Sequence, residues 1–358
     1  MEKKADKKLT RDYFQYQRKK TGIILILAVL VLASMYFALR SGVAEMTLYN
    51  LWETLLGRGS DTLKIVVWTI RLPRITAAVV AGAGLGVSGC IMQNNLKNPL
   101  ASPSTLGVTS AAAFGANVAI IVLGGGSLQS SQSDSVFIMA PYMVTFCAFV
   151  SSMTAIAVIL ALSKLKAFHP NVMILAGVAI SSLFGAGTTF LQYFAESHHV
   201  AAAVFWTFGN LGRATWNELS ILASLLLISF FYFMLRSWDY NAMIGGEDSA
   251  QSLGVNTQRI RLGSMFFASV LISASVSFLG IISFIGLIAP QITRRLVGND
   301  HRFLIPGSAL MGALLLLVSD TAARTMLSPI ILPVGVITSF LGAPIFLYIL
   351  IKDYQTKM

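Results

Sequence analysis

The chain has 358 residues, of which 55% are hydrophobic and only 11% are charged, and its mean hydropathy is +0.73. Soluble domains carry roughly 25% charged residues, so this composition excludes a cytosolic enzyme and a secreted binding module and indicates a protein whose main solvent is lipid. The net charge of +11 does not indicate nucleic-acid binding, because eight of the 26 Lys and Arg residues lie in the first twenty positions.

Residues 1–20 therefore form a basic tail directly before the first apolar segment, an arrangement that holds an N-terminus in the cytoplasm. The apolar segment from Thr21 to Leu39 is too long for a signal-peptide core, and no small-residue cleavage site precedes Arg40. We interpret it as a retained first span and treat 21–358 as one transmembrane domain. Cys90 and Cys147 lie in apolar runs, which favours small buried hydrophobes over a disulfide or metal site.

The uncharged stretches along the chain predict an all-α membrane protein with ten transmembrane helices, some of them short or broken. One stretch, 262–293, is too long for one helix and too short for two full ones, and Gly280 lies in its middle. We therefore expect a short eighth helix that starts at Gly280. The predicted spans are about 21–40, 74–93, 105–123, 136–162, 171–194, 217–236, 260–279, 280–297, 304–324 and 333–351.

An even number of spans places both termini on the same side of the membrane. With the N-terminus inside, eight Lys and Arg residues in the tail and eleven in the other inner segments face seven outside. Inner loops carry such an excess of positive charge. The sequence therefore predicts that both termini are cytoplasmic.

Ionisable residues inside the predicted spans are scarce. Asp320 and Arg324, four residues apart at the outer end of the ninth span, are expected to pair with each other. His198 and His199 lie outside, far from the other histidines, so no cluster of metal ligands is expected. The chain contains no G-x-x-x-x-G-K-[ST] loop and is not expected to hydrolyse nucleotide. It is then either a passive channel or secondary transporter, or one part of a powered machine.

The longest inner connection, residues 237–258, favours the powered machine. It contains a predicted short helix from Glu247 to Leu253, with acidic residues in the first turn and Gly254 as the C-terminal stop. Such a helix is suited to hold a cytoplasmic partner, although a solvated amphipathic loop explains the same pattern.

Six motifs follow one another in a fixed order. They begin with Arg71-Leu72-Pro73-Arg74 and continue with QNNLKNPLASPSTLG (93–107), GGEDSAQSLGV (245–255), GIISFIGLIAPQITRRLVGNDHR (280–302), LLLLVSDTAART (314–325) and LPVGVITSFLGAPIFLYIL (332–350). Together they resemble the permease subunits of bacterial ABC importers for iron–siderophore complexes and cobalamin, from about residue 22 to residue 352. Each motif alone is weak, whereas six in register are specific.

The resemblance implies a multi-pass protein of the bacterial cytoplasmic membrane that is not itself an enzyme and needs no cofactor or metal. It implies as partners a second permease subunit, two cytoplasmic ATPase subunits and an external substrate-binding protein, with lipid around them and no nucleic acid. The implied cargo is an iron(III)–siderophore-type chelate, with cobalamin, heme and oxyanions as alternatives. A passive channel or secondary transporter remains the alternative from a different class.

The resemblance also assigns roles to three sets of residues. The ATPase-coupling set comprises Gly246, Glu247, Ala250, Leu253, Gly254 and Val255. The cytoplasmic gate comprises Asn98, Pro99 and Leu100, and the set that docks the binding protein comprises Arg71, Arg74 and Arg324. The basic tail and the glycine- and serine-rich loop at 124–135 receive no role.

Overall fold

The computed structural model describes residues 2–41, 52–54, 56–127, 137–138, 140–164, 169–327 and 330–355. Side chains are described for 14–41, 52–54, 56–125, 140–164, 169–327, 330–348 and 351–352. Most of the glycine- and serine-rich loop at 124–135 and most side chains of the basic tail therefore lie outside the described residues.

The described residues form fourteen α-helices and one small pair of strands. The helices are α1 (Glu2–Arg40), α2 (Asp61–Lys64), α3 (Leu72–Asn95), α4 (Val108–Asn117), α5 (Pro141–Lys164), α6 (Pro170–Phe194), α7 (Ser197–Thr207), α8 (Trp216–Leu235), α9 (Ser237–Ile244), α10 (Glu247–Ser252), α11 (Thr257–Leu279), α12 (Ile285–Val297), α13 (His301–Thr325) and α14 (Val334–Gln355). Single π-helical segments at Ile65–Arg71 and Val118–Val122 and 3-10 turns at Pro103–Leu106 and Leu211–Arg213 supplement them. The strands β1 (Gly126–Ser127) and β2 (Phe137–Ile138) pair antiparallel.

Each predicted span coincides with one helix, namely α1, α3, α4, α5, α6, α8, α11, α12, α13 and α14. Among the described residues, seven helical segments are long and apolar enough to cross a membrane, and two shorter apolar stretches cover Val108–Val122 and Val334–Tyr348. The predicted all-α membrane fold with about ten spans is confirmed. The orientation of the termini stays a prediction. We call the end of the bundle that carries α9 and α10 the inner end, and the opposite end the outer end.

The eighth span begins later than predicted, at Ile285 rather than at Gly280. Gly280 and Phe284 both adopt positive φ angles, 78° and 65°, which end α11 and interrupt the helix. The thirteen residues of α12 rise only about 20 Å, less than the ~30 Å of a bilayer core. In the interruption, Ile281 pairs with Phe208, so the irregular backbone is satisfied by protein rather than exposed to lipid.

Helix α3 lies at the centre of the bundle, whereas α6 lies at its surface. In the most apolar 18-residue window of the helical segment that runs from α2 through α3, 83% of the residues are buried. In the corresponding window of α6, only 6% are buried. Close approach between α3 and α13 depends on glycine, because a Cβ atom on Gly86 would lie 2.2 Å from the carbonyl oxygen of Ser308. Small residues at such crossings let membrane helices pack backbone to backbone.

Candidate functional site

The predicted coupling segment at the inner end forms two short helices, α9 and α10. Helix α10 begins after Gly246, whose φ is 112°, and gives way to a turn in which Gly254 has a φ of 83°. Both angles favour glycine, which explains why the sequence pattern located this helix correctly. The main-chain N–H of Val255 closes the turn by donating to the carbonyl of Ala250 at 3.0 Å.

The coupling residues divide into an inward and an outward group. Ala250 is completely buried against the bundle, whereas Leu253 exposes 74% of its surface at the inner end. An apolar side chain exposed this far beyond the membrane-spanning helices is suited to contact a partner protein. Helix α10 thus has one side held by the bundle, and Leu253, the residue directly after the helix, is directed away from the bundle.

Glu247, the first residue of α10, forms an ion pair with Arg261 of α11. Burial by itself raises the pKa of Glu247, but the hydrogen bond and the positive charge of Arg261 outweigh it, so the pKa lies below its ordinary value. The contact with Arg261 therefore favours the ionised carboxylate. Arg261 is 1% exposed, which makes this pair the main polar anchor of α10.

The predicted gate segment, Asn98-Pro99-Leu100, follows the inner end of α3. Lys97 turns the chain with a positive φ of 47°, and the side chain of Asn98 accepts a hydrogen bond from the N–H of Leu100 at 2.9 Å. This hydrogen bond, the positive φ of Lys97 and the prolines at positions 99 and 103 together produce the irregular turn that the sequence predicted.

Two glutamines that sequence reasoning missed hold this turn. The side-chain amide of Gln291, on α12, donates to the carbonyl of Pro99 at 2.7 Å and to Oε1 of Gln93 at 3.2 Å. Gln93, on α3, donates in turn to the carbonyl of Leu287 at 3.1 Å. Both are almost fully buried. A polar residue inside a predicted span was the available signal, since buried amides must be satisfied.

The three arginines predicted to dock a binding protein converge at the outer end. Asp320 accepts from Nε of Arg74 at 2.8 Å and from Nε of Arg324 at 3.1 Å. Arg324 also donates to the carbonyls of Ser41 and Ala38, at 3.2 and 3.3 Å. The predicted pair between Asp320 and Arg324 is present, and Arg74 is an additional partner.

Arg71 completes this group by donating to the carbonyl of Leu39 at 2.6 Å. The arginines therefore tie the outer end of α1 to α3 and α13. Arg71 and Arg74 are only 6% and 8% exposed. Asp320 accepts from two of the three guanidinium groups, Arg74 and Arg324, while Arg71 and Arg324 both bond main-chain carbonyls at the end of α1.

Arg74 also borders a cavity of about 610 Å³ at the outer end. Other polar residues of its wall are Asn210, Arg213 and Glu218. Arg213 donates to the carbonyls of Phe205 and Trp206 at 2.9 and 3.1 Å, and burial lowers its pKa to about 10. The cavity thus opens among fixed positive charges and aromatic side chains.

The start of α7 brings together Glu196, which precedes the helix, and His198 and His199 of its first turn, with one ligand atom of each within 4.8 Å of the others. Nδ1 of His198 lies 3.3 Å from Oε2 of Glu196. These three side chains lie close enough together to be candidate ligands, and the expectation that this chain binds no metal stays a prediction. Two imidazoles and one carboxylate suit borderline divalent ions rather than ferric iron, which prefers hard oxygen ligands.

The comparisons with known proteins agree on one family. The model of the FecCD transport family matches residues 26–352. A Methanocaldococcus jannaschii protein described as an inferred ABC transporter permease is 51% identical, over 97% of this chain and 99% of its own length. The hemin transport system permease of Yersinia pestis is 36% identical, over 95% of this chain and 97% of its own length. An Fe(3+)-citrate import system permease of Bacillus subtilis is 33% identical, over 96% and 98%.

A solved structure of an inward-facing ABC transporter, described as of inferred metal-chelate type, is also similar. Its TM-score is 0.78 at 28% identity, covering 93% of this chain and 99% of that chain. Permeases of this kind are not enzymes, since ATP hydrolysis belongs to a separate subunit, and they work with a partner permease. The apolar helices of this chain, together with its membership of a family of membrane permeases, identify it as a multi-pass protein of the cytoplasmic membrane. The chain belongs to the FecCD transport family, the ABC importer permeases that the sequence motifs resemble.

Proposed function

We propose that this chain is the permease of an ATP-driven importer that carries an iron(III)–siderophore-type chelate into the cytoplasm. The observation that carries the proposal is the pair α9 and α10, anchored through Glu247 and Ala250 while Leu253 is exposed. A passive channel needs no such element. Two ATPase subunits, one seated against α9 and α10 of each permease subunit, supply the energy.

The cargo part of the proposal rests on chemistry that relatives share. Named relatives carry hemin and an Fe(3+)-citrate complex, and both are chelates in which the metal arrives with its ligands already in place. The described spans offer no matching set of hard oxygen ligands for a bare ferric ion, since their buried polar residues are mainly serines, amides and arginines. A wrapped chelate fits such a permease better than a free ion does.

The experiment is uptake by cells that lack their own importers and express this chain with its ATPase and binding protein. Radiolabelled ferric siderophore, hemin, cobalamin and molybdate are offered one at a time. ATP-dependent uptake of the ferric siderophore supports the proposal. Uptake of hemin, cobalamin or molybdate instead supports the importer but shows that its cargo is not a ferric siderophore. Uptake that continues without the ATPase contradicts the importer itself and supports a channel.

We further propose that an external binding protein docks on the outer end through Arg71, Arg74 and Arg324. The convergence of Arg74 and Arg324 on the single side chain of Asp320 at the outer end supports the proposal, and arginine suits carboxylates because it binds them through two parallel hydrogen bonds. Two permease subunits would present two equivalent arginine clusters to one partner.

Docking is best tested on the partner and by salt, because the arginines also hold α1 in place. Replacing the partner's surface glutamates with glutamine should weaken association. So should raising the salt concentration, since charges are screened beyond ~8 Å at physiological ionic strength. Association that is unchanged by both treatments would leave the arginines with a structural role only.

A further inference from the structure

The coupling helices are bonded to the helices that flank the gate. The hydroxyl groups of Tyr240, on α9, and Ser264, on α11, lie 2.7 Å apart. The side chain of Asn241 donates to Asp300 at 2.9 Å and accepts from the N–H of His301 at 2.8 Å, which joins α9 to the turn between α12 and α13. These bonds fix α9 directly against the bundle.

Helix α10 is bonded to α11 through Gln251, whose side-chain amide donates to Thr257 at 3.4 Å, and through the buried guanidinium of Arg261. Nη2 of Arg261 bonds the carboxylate of Glu247, and Nε of Arg261 donates to the carbonyl of Asn95 at 3.1 Å. Asn95 is the last residue of α3 and stands three positions before Asn98 of the gate. One side chain therefore contacts both the coupling helix and the end of the gate-bearing helix.

We propose that Arg261 is a positioning residue that transmits movement of α10 to the gate, an inference that rests on the proposed function. The guanidinium joins the consecutive helices α10 and α11 to the inner end of α3, which lies 166 residues away in sequence. When the ATPase displaces α10, Glu247 carries Arg261 with it, and Arg261 shifts the backbone at Asn95.

Burial of the guanidinium makes this connection stiff. The side chain of Arg261 is 1% exposed, whereas that of Glu247 is 32% exposed, so separating the pair returns Glu247 to water but leaves the buried guanidinium without this counter-charge, which is unfavourable. The acceptor is also well suited, because the last carbonyls of a helix lack internal partners and favour a cation. Moving α10 together with Arg261 is therefore easier than breaking the pair.

The end of α3 has unused polar groups that a shifted state can satisfy. Nδ2 and Oδ1 of Asn95 are both buried and have no hydrogen-bond partner among the described residues. A buried amide left unsatisfied at both atoms is rare in a resting protein core. On the opposite side of the gate, Gln291 holds the carbonyl of Pro99 at 2.7 Å. If Asn95 moves while Gln291 holds Pro99 in place, the backbone between Asn95 and Pro99 must change conformation.

The test measures gate movement directly and needs no knowledge of the cargo. Leu100, which is 44% exposed, is replaced with cysteine in a background where Cys90 and Cys147 are alanine. Labelling by a maleimide is then timed with and without ATP in the assembled complex. In complexes matched for the amount of bound ATPase, Glu247→Gln should reduce the ATP-dependent change in labelling rate ~10-fold, the equivalent of losing charge assistance from one hydrogen bond.

Two further variants complete the experiment. Arg261→Lys keeps the charge but not the planar fork that spans two partners, so it should show the same loss. Asp248→Asn is the matched control, because this neighbouring carboxylate is exposed, and it should respond like the unmodified chain. A normal response in Glu247→Gln overturns the role of Arg261 alone. An unmodified complex that fails to bind the ATPase or to respond to ATP overturns the proposed function and this inference together.

Discussion

Removing the charge of Asp320 should destabilise the protein more than any change at a surface ion pair. The Asp320→Asn substitution keeps the size of the side chain and one oxygen acceptor. It removes the only carboxylate shown against Arg74 and Arg324 among the described residues. Both guanidinium groups then stay buried without a counter-charge.

The magnitude follows from the burial of the group. Asp320 is 0% exposed, and the side chains of both arginines are 9% exposed. Removing one partner of a buried ion pair costs about 3–5 kcal/mol. The main-chain carbonyls of Ala38 and Ser41 still accept from Arg324, which places the expected loss near the lower end, about 3 kcal/mol. This corresponds to a change of roughly a hundredfold in the unfolding equilibrium.

The free energy of unfolding can be measured by titrating the purified permease in mild micelles with a denaturing detergent. Asp61→Asn serves as the control, since Asp61 pairs with Lys64 at the surface with 96% of its side chain exposed, and it should not shift the transition. An Asp320→Asn transition that coincides with that of the unmodified chain would refute the reasoning, because a buried counter-charge cannot be removed without cost.

Gly254→Pro should abolish uptake while membrane insertion persists, since proline cannot adopt the φ of 83° found there; normal uptake would remove Gly254 from the coupling element. Asp300→Asn should destabilise the protein at neutral pH, because burial opposes ionisation but bonds from Arg302 and Asn241 lower the pKa of Asp300 to about 2. That stabilisation is present above the unfolded pKa and is lost as the pH falls through about 2, so the two stabilities should converge on acidification. Purified permease should retain no stoichiometric iron after dialysis, as metal analysis can check.

The number and nature of the spans were predictable from sequence because they depend on local properties. A run of about 20 uncharged residues is stable only in lipid, and each such run became a helix here. The boundaries of α10 were predictable too, because Gly246 and Gly254 stand at backbone angles that other residues avoid. The pair between Asp320 and Arg324 follows from helical spacing alone.

The assembly of the candidate site depended on contacts between distant segments. Arg74 reaches Asp320 across 246 residues, Gln291 reaches Gln93 across 198, and Arg261 reaches Asn95 across 166. The late start of α12 likewise depends on Ile281 pairing with Phe208. Hydropathy and spacing describe one helix at a time, whereas these bonds form only because packing brings particular helices side by side. The sequence by itself determined which segments enter the membrane, and the tertiary structure decided which buried polar groups meet there, since each needs a partner that lipid cannot supply.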